Sequence, residues 1–414
     1  MSDLPAAAAA TSSRAPIVRA LVLLLIAGSP LAAVTNGIRT SFGLFTLPMT
    51  GDLGLSRESW AMAMAIQNLA WGIAQPFAGA LADKHGTARV LVLGLVIYAI
   101  GLVTMAFSTD ALMLMLTSGV LVGAGIATSS MSIIMAAFGR SVDPKNRSLA
   151  FGLATAASSL GQFLFAPISQ QFIGAFGWQS ALLMLAVLVL AVMPLTAVLR
   201  GKGTSSPREV DMPLGQALRK AFAHPSYRLL VAGFFVCGFH VAFISVHMPA
   251  YLVQCGLTPD AASWTIAIIG LFNIVGSLGS GWLGTRFPKQ LLLAAIYFSR
   301  AVAMALFVFL PVSEITAFVF AAAMGLLWLS TVPLTAGLVT QFFGARYMGM
   351  LYGLVFLSHQ VGSFAGIWFG GFVYDQTGNY GLVWYFGIIL GLASAAIHLP
   401  IRETGARSFG LNPA

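Results

Sequence analysis

The sequence predicts an all-α integral membrane protein, with twelve transmembrane helices in two six-helix pseudo-repeats and both termini in the cytoplasm. Hydrophobic residues make up 58% of the 414 residues and charged residues only 8%. A soluble domain usually carries about 25% charged residues, so a water-soluble fold is excluded. Long apolar segments also recur along the whole chain, and the motifs of the first half return in the second.

The apolar segments are long enough to span a bilayer, whose core of about 30 Å needs roughly 20 residues of helix. Leu-, Ala- and Met-rich runs favour helices over barrel strands, which would alternate apolar and polar residues. The predicted spans lie near 17–47, 58–80, 88–107, 111–137, 148–172, 177–199, 226–253, 261–284, 290–311, 314–341, 347–373 and 379–400.

These spans predict a division of the chain into bundles, tails and a linker. The first apolar run is too long for a secretory signal, so we expect it to be retained as a span. The expected parts are a disordered cytoplasmic tail (1–19), an N-terminal bundle (20–199), a cytoplasmic linker (200–225), a C-terminal bundle (226–401) and a cytoplasmic tail (402–414).

The distribution of positive charge predicts the orientation. Apart from Arg39, Arg300 and the outer-loop Arg57, the other eighteen Lys and Arg fall in segments that this topology places in the cytoplasm. Such a bias is typical of cytoplasmic loops. The net charge of +9 is therefore explained by topology and does not indicate nucleic-acid binding. We expect a multi-pass protein of the cell membrane, of the bacterial inner-membrane kind.

The two halves repeat each other at an offset of about 201–205 residues. Gly123 in the first half corresponds to Gly325, and Phe151-Gly152 corresponds to Tyr352-Gly353. Parallel six-helix repeats of this kind occur in transporters that bind substrate between the halves, near the middle of the membrane.

One loop resembles the signature of the major facilitator superfamily. Its residues are Gly79, Asp83, Lys84, Gly86 and, two positions later than the usual arginine, Arg89. The resemblance implies the major facilitator fold, monomeric function, and a latch in which these residues hold the cytoplasmic side closed. The second copy has Thr285 at the aspartate position, so any latch is expected to be asymmetric.

A narrower resemblance is to the monocarboxylate and oxalate/formate branch, carried by residues 37–45 and by Ser56-Arg57-Glu58. In that branch a cation in the eighth or eleventh helix meets the carboxylate. This sequence instead has Asn273 and His359 in those helices.

Two arginines, Arg39 and Arg300, lie at membrane depth within predicted spans, where no Asp or Glu lies; the other charged residues of the spans are at their ends. Charges in the hydrocarbon are candidate functional groups, and a guanidinium matches a carboxylate with two parallel hydrogen bonds. Arg300 is predicted about 15 Å from either end of its helix, and Arg39 about 13 Å from the outer boundary. Both are candidate substrate ligands. The alternatives are that Arg39 reaches the outer interface and that Arg300 braces neighbouring helices.

Several other polar residues are candidates for the site. His240, His247 and Tyr251 share one face of the seventh span, and the resemblance implies that this helix lines the cavity. His240, His247 and His359 could each couple proton movement, because histidine changes charge near neutral pH. The alternative for each is a neutral histidine bonded between helices. The remaining substrate candidates are Asn273 and Gln67.

These observations favour a secondary transporter of a small organic anion, most simply a monocarboxylate, with proton symport or anion exchange. A multidrug or metabolite exporter with a large apolar pocket is the alternative. A membrane-embedded enzyme or sensor is disfavoured, because the sequence lacks zinc, paired-aspartate and nucleotide-binding motifs. No cofactor or metal is expected.

Overall fold

The computed structural model describes residues 14–135, 147–200 and 214–404, and every regular element in those ranges is a helix. The predicted tails (1–19 and 402–414) and the predicted linker (200–225) fall partly or mostly outside these ranges. The all-helical architecture agrees with the sequence-based prediction.

The first half contains six helices, several of which start at a side-chain cap. The hydroxyl of Ser56 accepts a hydrogen bond from the amide of Ser59, and the carboxylate of Asp110 accepts one from the amide of Met113, which satisfies amides that lack a helical partner. The helices are α1 (Arg14–Thr40), α2 (Thr46–Leu53), α3 (Arg57–His85), α4 (Thr87–Ala106), α5 (Ala111–Met135) and α6 (Arg147–Ala191), and a 3₁₀ segment follows at Met193–Leu199.

The second half begins with a short helix and continues with six longer ones. Thr258 and Ser313 cap two of them through their hydroxyl groups. The helices are α7 (Leu214–Ala223), α8 (Pro225–Gln254), α9 (Pro259–Leu283), α10 (Lys289–Phe309), α11 (Glu314–Leu327), α12 (Thr331–Thr377) and α13 (Gly381–His398).

Nine helical stretches of the described ranges are long and apolar enough to cross a membrane. The chain is therefore a multi-pass membrane protein, whereas the count of twelve spans and the cytoplasmic position of the termini stay predictions. Two of the longest helices bend at glycines with positive φ, Gly177 (79°) in α6 and Gly344 (77°) in α12. Only glycine adopts this conformation readily, so each long helix divides into two arms.

The buried apolar residues form two clusters. One draws mainly on residues 31–199 and the other mainly on residues 221–401. Within and between them, glycines allow helix backbones to touch. A Cβ on Gly238 would lie 1.8 Å from the carbonyl oxygen of His359, and a Cβ on Gly161 would lie 2.0 Å from that of Ala33. Close contacts of this kind are how helices associate in a bilayer.

The halves are joined at one membrane surface by α3 and α12. We call this the far side, and the opposite surface, at which the 3₁₀ segment Met193–Leu199 ends, the linker side. The amides of Arg57 and Glu58 donate to the carboxylate of Asp375 at 3.1 and 2.8 Å, and the indole of Trp368 donates to Glu58 at 3.1 Å. A carboxylate at a helix N-terminus is stabilising, so these contacts hold α3 and α12 together at the far side.

A helix break divides the predicted span 314–341. Residues 328–330 are not helical, and the chain resumes its helix at Thr331. Arg300 is 0% exposed. Its Nε and Nη2 donate to the carbonyl of Leu327 at 3.2 and 2.6 Å, and Nη2 also donates to the carbonyl of Trp328.

Asn273 of α9 also bonds to the backbone at the helix break. Its side-chain oxygen accepts a hydrogen bond from the amide of Leu329 at 3.0 Å, and its side-chain nitrogen donates to the hydroxyl of Ser159 at 2.9 Å. Unsatisfied backbone groups at membrane depth cost several kcal/mol each. The break therefore persists because Arg300 and Asn273 satisfy the backbone groups that it exposes.

Replacing Arg300 with Gln should lower the thermal unfolding temperature of the purified protein in detergent. Hydrogen bonds to charged groups contribute about 1.5–3 kcal/mol each, and this change removes several of them. Arg300→Lys should be intermediate, because it keeps the charge but not the planar fork. Arg39→Gln is the matched control and should unfold near the parent temperature. An Arg300→Gln protein as stable as the parent would contradict the bracing role.

Candidate functional site

Arg39 lies near the end of α1 and is partly exposed. One of its terminal nitrogens donates to the side chain of Asn36 at 2.9 Å, and the guanidinium lies 4.9 Å from the ring centre of Trp71. Asn36 in turn donates to the carbonyl of Ser158 in α6 at 3.0 Å. The positive charge is thus held by an amide and an aromatic face, neither of which neutralises it.

Aromatic rings extend from Arg39 into the second half. Trp71 meets Phe356 of α12 edge to face at 5.3 Å, and Phe356 stacks on His359 at 5.9 Å with only 7° between the ring planes. These four residues, which we call the Arg39 cluster, lie on α1, α3 and α12. The cluster therefore spans the boundary between the two halves, where a substrate of an alternating-access transporter would be bound.

His359 is the titratable member of the cluster besides the arginine. Its Nδ1 lies 3.0 Å from the side-chain oxygen of Gln360, whose nitrogen donates to the carbonyl of Asn68 in α3 at 3.0 Å. His359 is partly exposed, whereas Gln360 is buried. A change in charge at His359 would thus act directly on a hydrogen bond between the halves.

The other two histidines predicted to couple proton movement are buried between helices. His240 and His247 are both 0% exposed. Nε2 of His240 lies 2.8 Å from the carbonyl of Gly387 in α13, and Nε2 of His247 lies 2.8 Å from the carbonyl of Ile367. Nδ1 of His247 also contacts the hydroxyl of Tyr380 at 3.2 Å. These contacts match the alternative considered above, a histidine bonded between helices.

The remaining predicted substrate ligands lie apart from the Arg39 cluster. The side chain of Gln67 is buried and donates to the carbonyl of Ser118 at 2.9 Å. Tyr251 packs between aromatic rings of the second half, 5.7 Å from Trp384 and 6.1 Å from Phe307. Arg300 and Asn273 are hydrogen-bonded to the backbone at the helix break. None of the four residues Gln67, Tyr251, Arg300 and Asn273 is therefore part of the Arg39 cluster.

The predicted latch residues lie at the linker-side end of α3 and the start of α4. Gly86 has a φ of 93° and forms the turn between these helices, which explains the glycine at this position. Gly79 has open space where a Cβ would be, and Asp83 and Lys84 are exposed. Arg89 lines a groove with Arg200. The latch itself stays a prediction.

Trp71 and Phe356 are site residues that sequence reasoning missed. Both read as ordinary apolar positions of a transmembrane helix, and their contact joins residues 285 positions apart. One local signal existed, because Trp71 follows Gln67 by one helical turn and precedes Gln75 by another. Its indole donates to Gln75 at 2.8 Å. A polar stripe interrupted by Trp could have indicated a cavity wall.

Comparisons with known proteins give the family. The sequence profile of the Major Facilitator Superfamily matches residues 29–367. Rat Monocarboxylate transporter 13 is 28% identical over 357 residues, covering 84% of this chain and 81% of that protein. The uncharacterized MFS-type transporter YcxA of Bacillus subtilis is 25% identical over 381 residues, covering 88% and 91%.

Solved structures agree on the fold. The crystal structure of a D-xylose–proton symporter superposes with a TM-score of 0.74 at 14% identity, covering 93% of this chain and 98% of that one. A bacterial homologue of the human lysosomal transporter Spinster, in an inward-facing and occupied conformation, gives 0.71 at 15% identity, covering 90% and 95%. With the family profile matching most of its length, the chain belongs to the major facilitator superfamily and is a membrane transporter, not an enzyme.

Proposed function

We propose that the protein carries a small organic anion, most simply a monocarboxylate, by alternating access, and that Arg39 binds the carboxylate. The observation that carries this proposal is the environment of Arg39. Arg39 is partly exposed in a cluster that contains residues of both halves, and its described contacts are an amide and an indole ring. A cation at membrane depth whose described contacts include no carboxylate attracts an anion, and the planar fork suits a carboxylate.

The shape of the cluster supports a small substrate. Trp71 and Phe356 provide apolar walls beside the cation, which suits a molecule with one carboxylate and a short apolar body. The similarity to proteins named monocarboxylate transporters supports the same class.

Transport of an anion into a cell with a negative interior needs a driving partner, because one charge costs about 2.3 kcal/mol per 100 mV. His359 is the best placed histidine for proton symport, since it is partly exposed and belongs to the Arg39 cluster, where it stacks on Phe356. His240 and His247 are fully buried. Exchange for a second anion at Arg39 would satisfy the same requirement without His359.

Arg39→Gln should strongly reduce saturable uptake of labelled lactate by purified protein in liposomes. The lost charge-assisted hydrogen bonds correspond to a decrease of roughly 10- to 100-fold in uptake efficiency. Arg286→Gln is the matched control, because Arg286 is an exposed linker-side arginine stacked on Trp282, and it should transport like the parent.

Two results would contradict the proposal for Arg39. One is lactate uptake by Arg39→Gln at the parent rate. The other is an absence of carboxylate uptake by the parent together with transport of an apolar drug, which would favour the exporter alternative.

His359→Gln should separate exchange from proton-driven accumulation. The amide keeps a polar group beside Gln360 but cannot carry a proton at physiological pH. We expect this variant to exchange labelled for unlabelled lactate at close to the parent rate, and to lose the accumulation that an inward proton gradient produces in the parent. Accumulation by His359→Gln at the parent level would exclude His359 as the proton carrier. If lactate accumulation by the parent does not depend on the proton gradient, the result would favour anion exchange.

A further inference from the structure

A basic groove lies on the linker side, away from the Arg39 cluster. Its volume is about 590 Å³. The lining residues come from the end of α3, the first turns of α4 and the 3₁₀ segment Met193–Leu199 with the arginine that follows it; they are His85, Gly86, Ala88, Arg89, Val92, Thr196, Ala197 and Arg200. The groove therefore joins two segments that are more than 100 residues apart.

The groove is suited to an anion. Arg89, Arg200 and His85 line it, and none of its described lining residues is acidic. A guanidinium binds the oxygens of a phosphate group through parallel, charge-assisted hydrogen bonds. Two arginines lining one groove could both contact a single phosphate group.

The groove also has an apolar part that continues onto the outer surface of the helices. Val92 and Ala197 belong to its lining. Beside them, Leu93 and Val198 are 45% and 42% exposed, as expected of residues that face lipid chains. Since it lies at the linker-side ends of membrane-crossing helices, the groove offers charge at the membrane surface and apolar contact below it. A freely dissolved anion would contact only the charged part of the groove.

We infer that this groove binds the phosphodiester headgroup of an anionic phospholipid, with Arg89 and Arg200 on the phosphate and the acyl chains along Val92 and Ala197. Basic pockets between transmembrane helices commonly receive such headgroups. Arg89 then serves a lipid site rather than the latch that the loop resemblance implies. The lipid would tie the start of α4 to the end of the first half, independently of the transported substrate.

The test is lipid binding by the purified full chain, delipidated in detergent, followed by native mass spectrometry. The probes are a phosphatidylglycerol, a phosphatidylcholine with the same acyl chains, and inorganic phosphate. The parent should bind phosphatidylglycerol in preference to phosphatidylcholine. Arg89→Gln/Arg200→Gln should bind it roughly 30-fold more weakly, since each arginine near an anionic headgroup contributes about a factor of five.

A matched double variant controls for net charge. Arg286→Gln/Arg402→Gln removes two linker-side arginines of the second half and should keep parental lipid affinity. Both double variants alter exposed side chains, and circular dichroism would verify that they fold. Equal affinity of the parent for the two lipids, or an unchanged affinity in Arg89→Gln/Arg200→Gln, would overturn the inference. Binding of inorganic phosphate as tightly as phosphatidylglycerol would also overturn it, because the groove would then be a site for dissolved anions.

Discussion

The structure depends on a backbone break at membrane depth and on the two side chains that satisfy it. Hydrocarbon offers no hydrogen bonds, so the carbonyls of Leu327 and Trp328 need donors from the protein. Arg300 supplies these donors, and Asn273 accepts from the next amide while donating to Ser159 in the other half. The break, two neighbouring helices and the contact between the halves thus form one connected unit. A rearrangement of the halves would have to carry the Asn273–Ser159 bond with it or break it.

The two intramembrane arginines are distinguished by what surrounds them. Arg300 is fully buried, and its Nε and Nη2 donate to backbone carbonyls, which supply partial negative charge without a carboxylate. Arg39 has one amide acceptor and an indole face, and it keeps part of its surface accessible. One cation is therefore committed to the fold, and the other is available to a ligand. This division supports Arg39, and not Arg300, as the ligand of the transported anion in the proposal made above.

Hydropathy, glycine placement and the repeated motifs were sufficient to predict an all-helical membrane transporter fold, because the bilayer restricts a spanning chain to a few solutions. They could not locate the break at 328–330, since an unbroken apolar run and a broken one have the same composition. The midplane depth of Arg300 was predictable, but its partners are backbone atoms, which carry no sequence signal. Two of the four residues of the Arg39 cluster could be predicted from the sequence. Arg39 and His359 are unusual inside spans, whereas Trp71 and Phe356 acquire their role only through a contact between distant helices.

The central claim, that an anion binds at Arg39 beside Trp71, can be tested by intrinsic fluorescence. Lactate added to the purified parent should change tryptophan emission saturably, because the ligand alters the charge that lies 4.9 Å from the Trp71 ring. In Trp71→Phe, which keeps the other seven tryptophans and an aromatic wall, the signal should disappear while labelled lactate still binds. A saturable change of the same size in Trp71→Phe would contradict the account, since the anion would then lie near a different tryptophan.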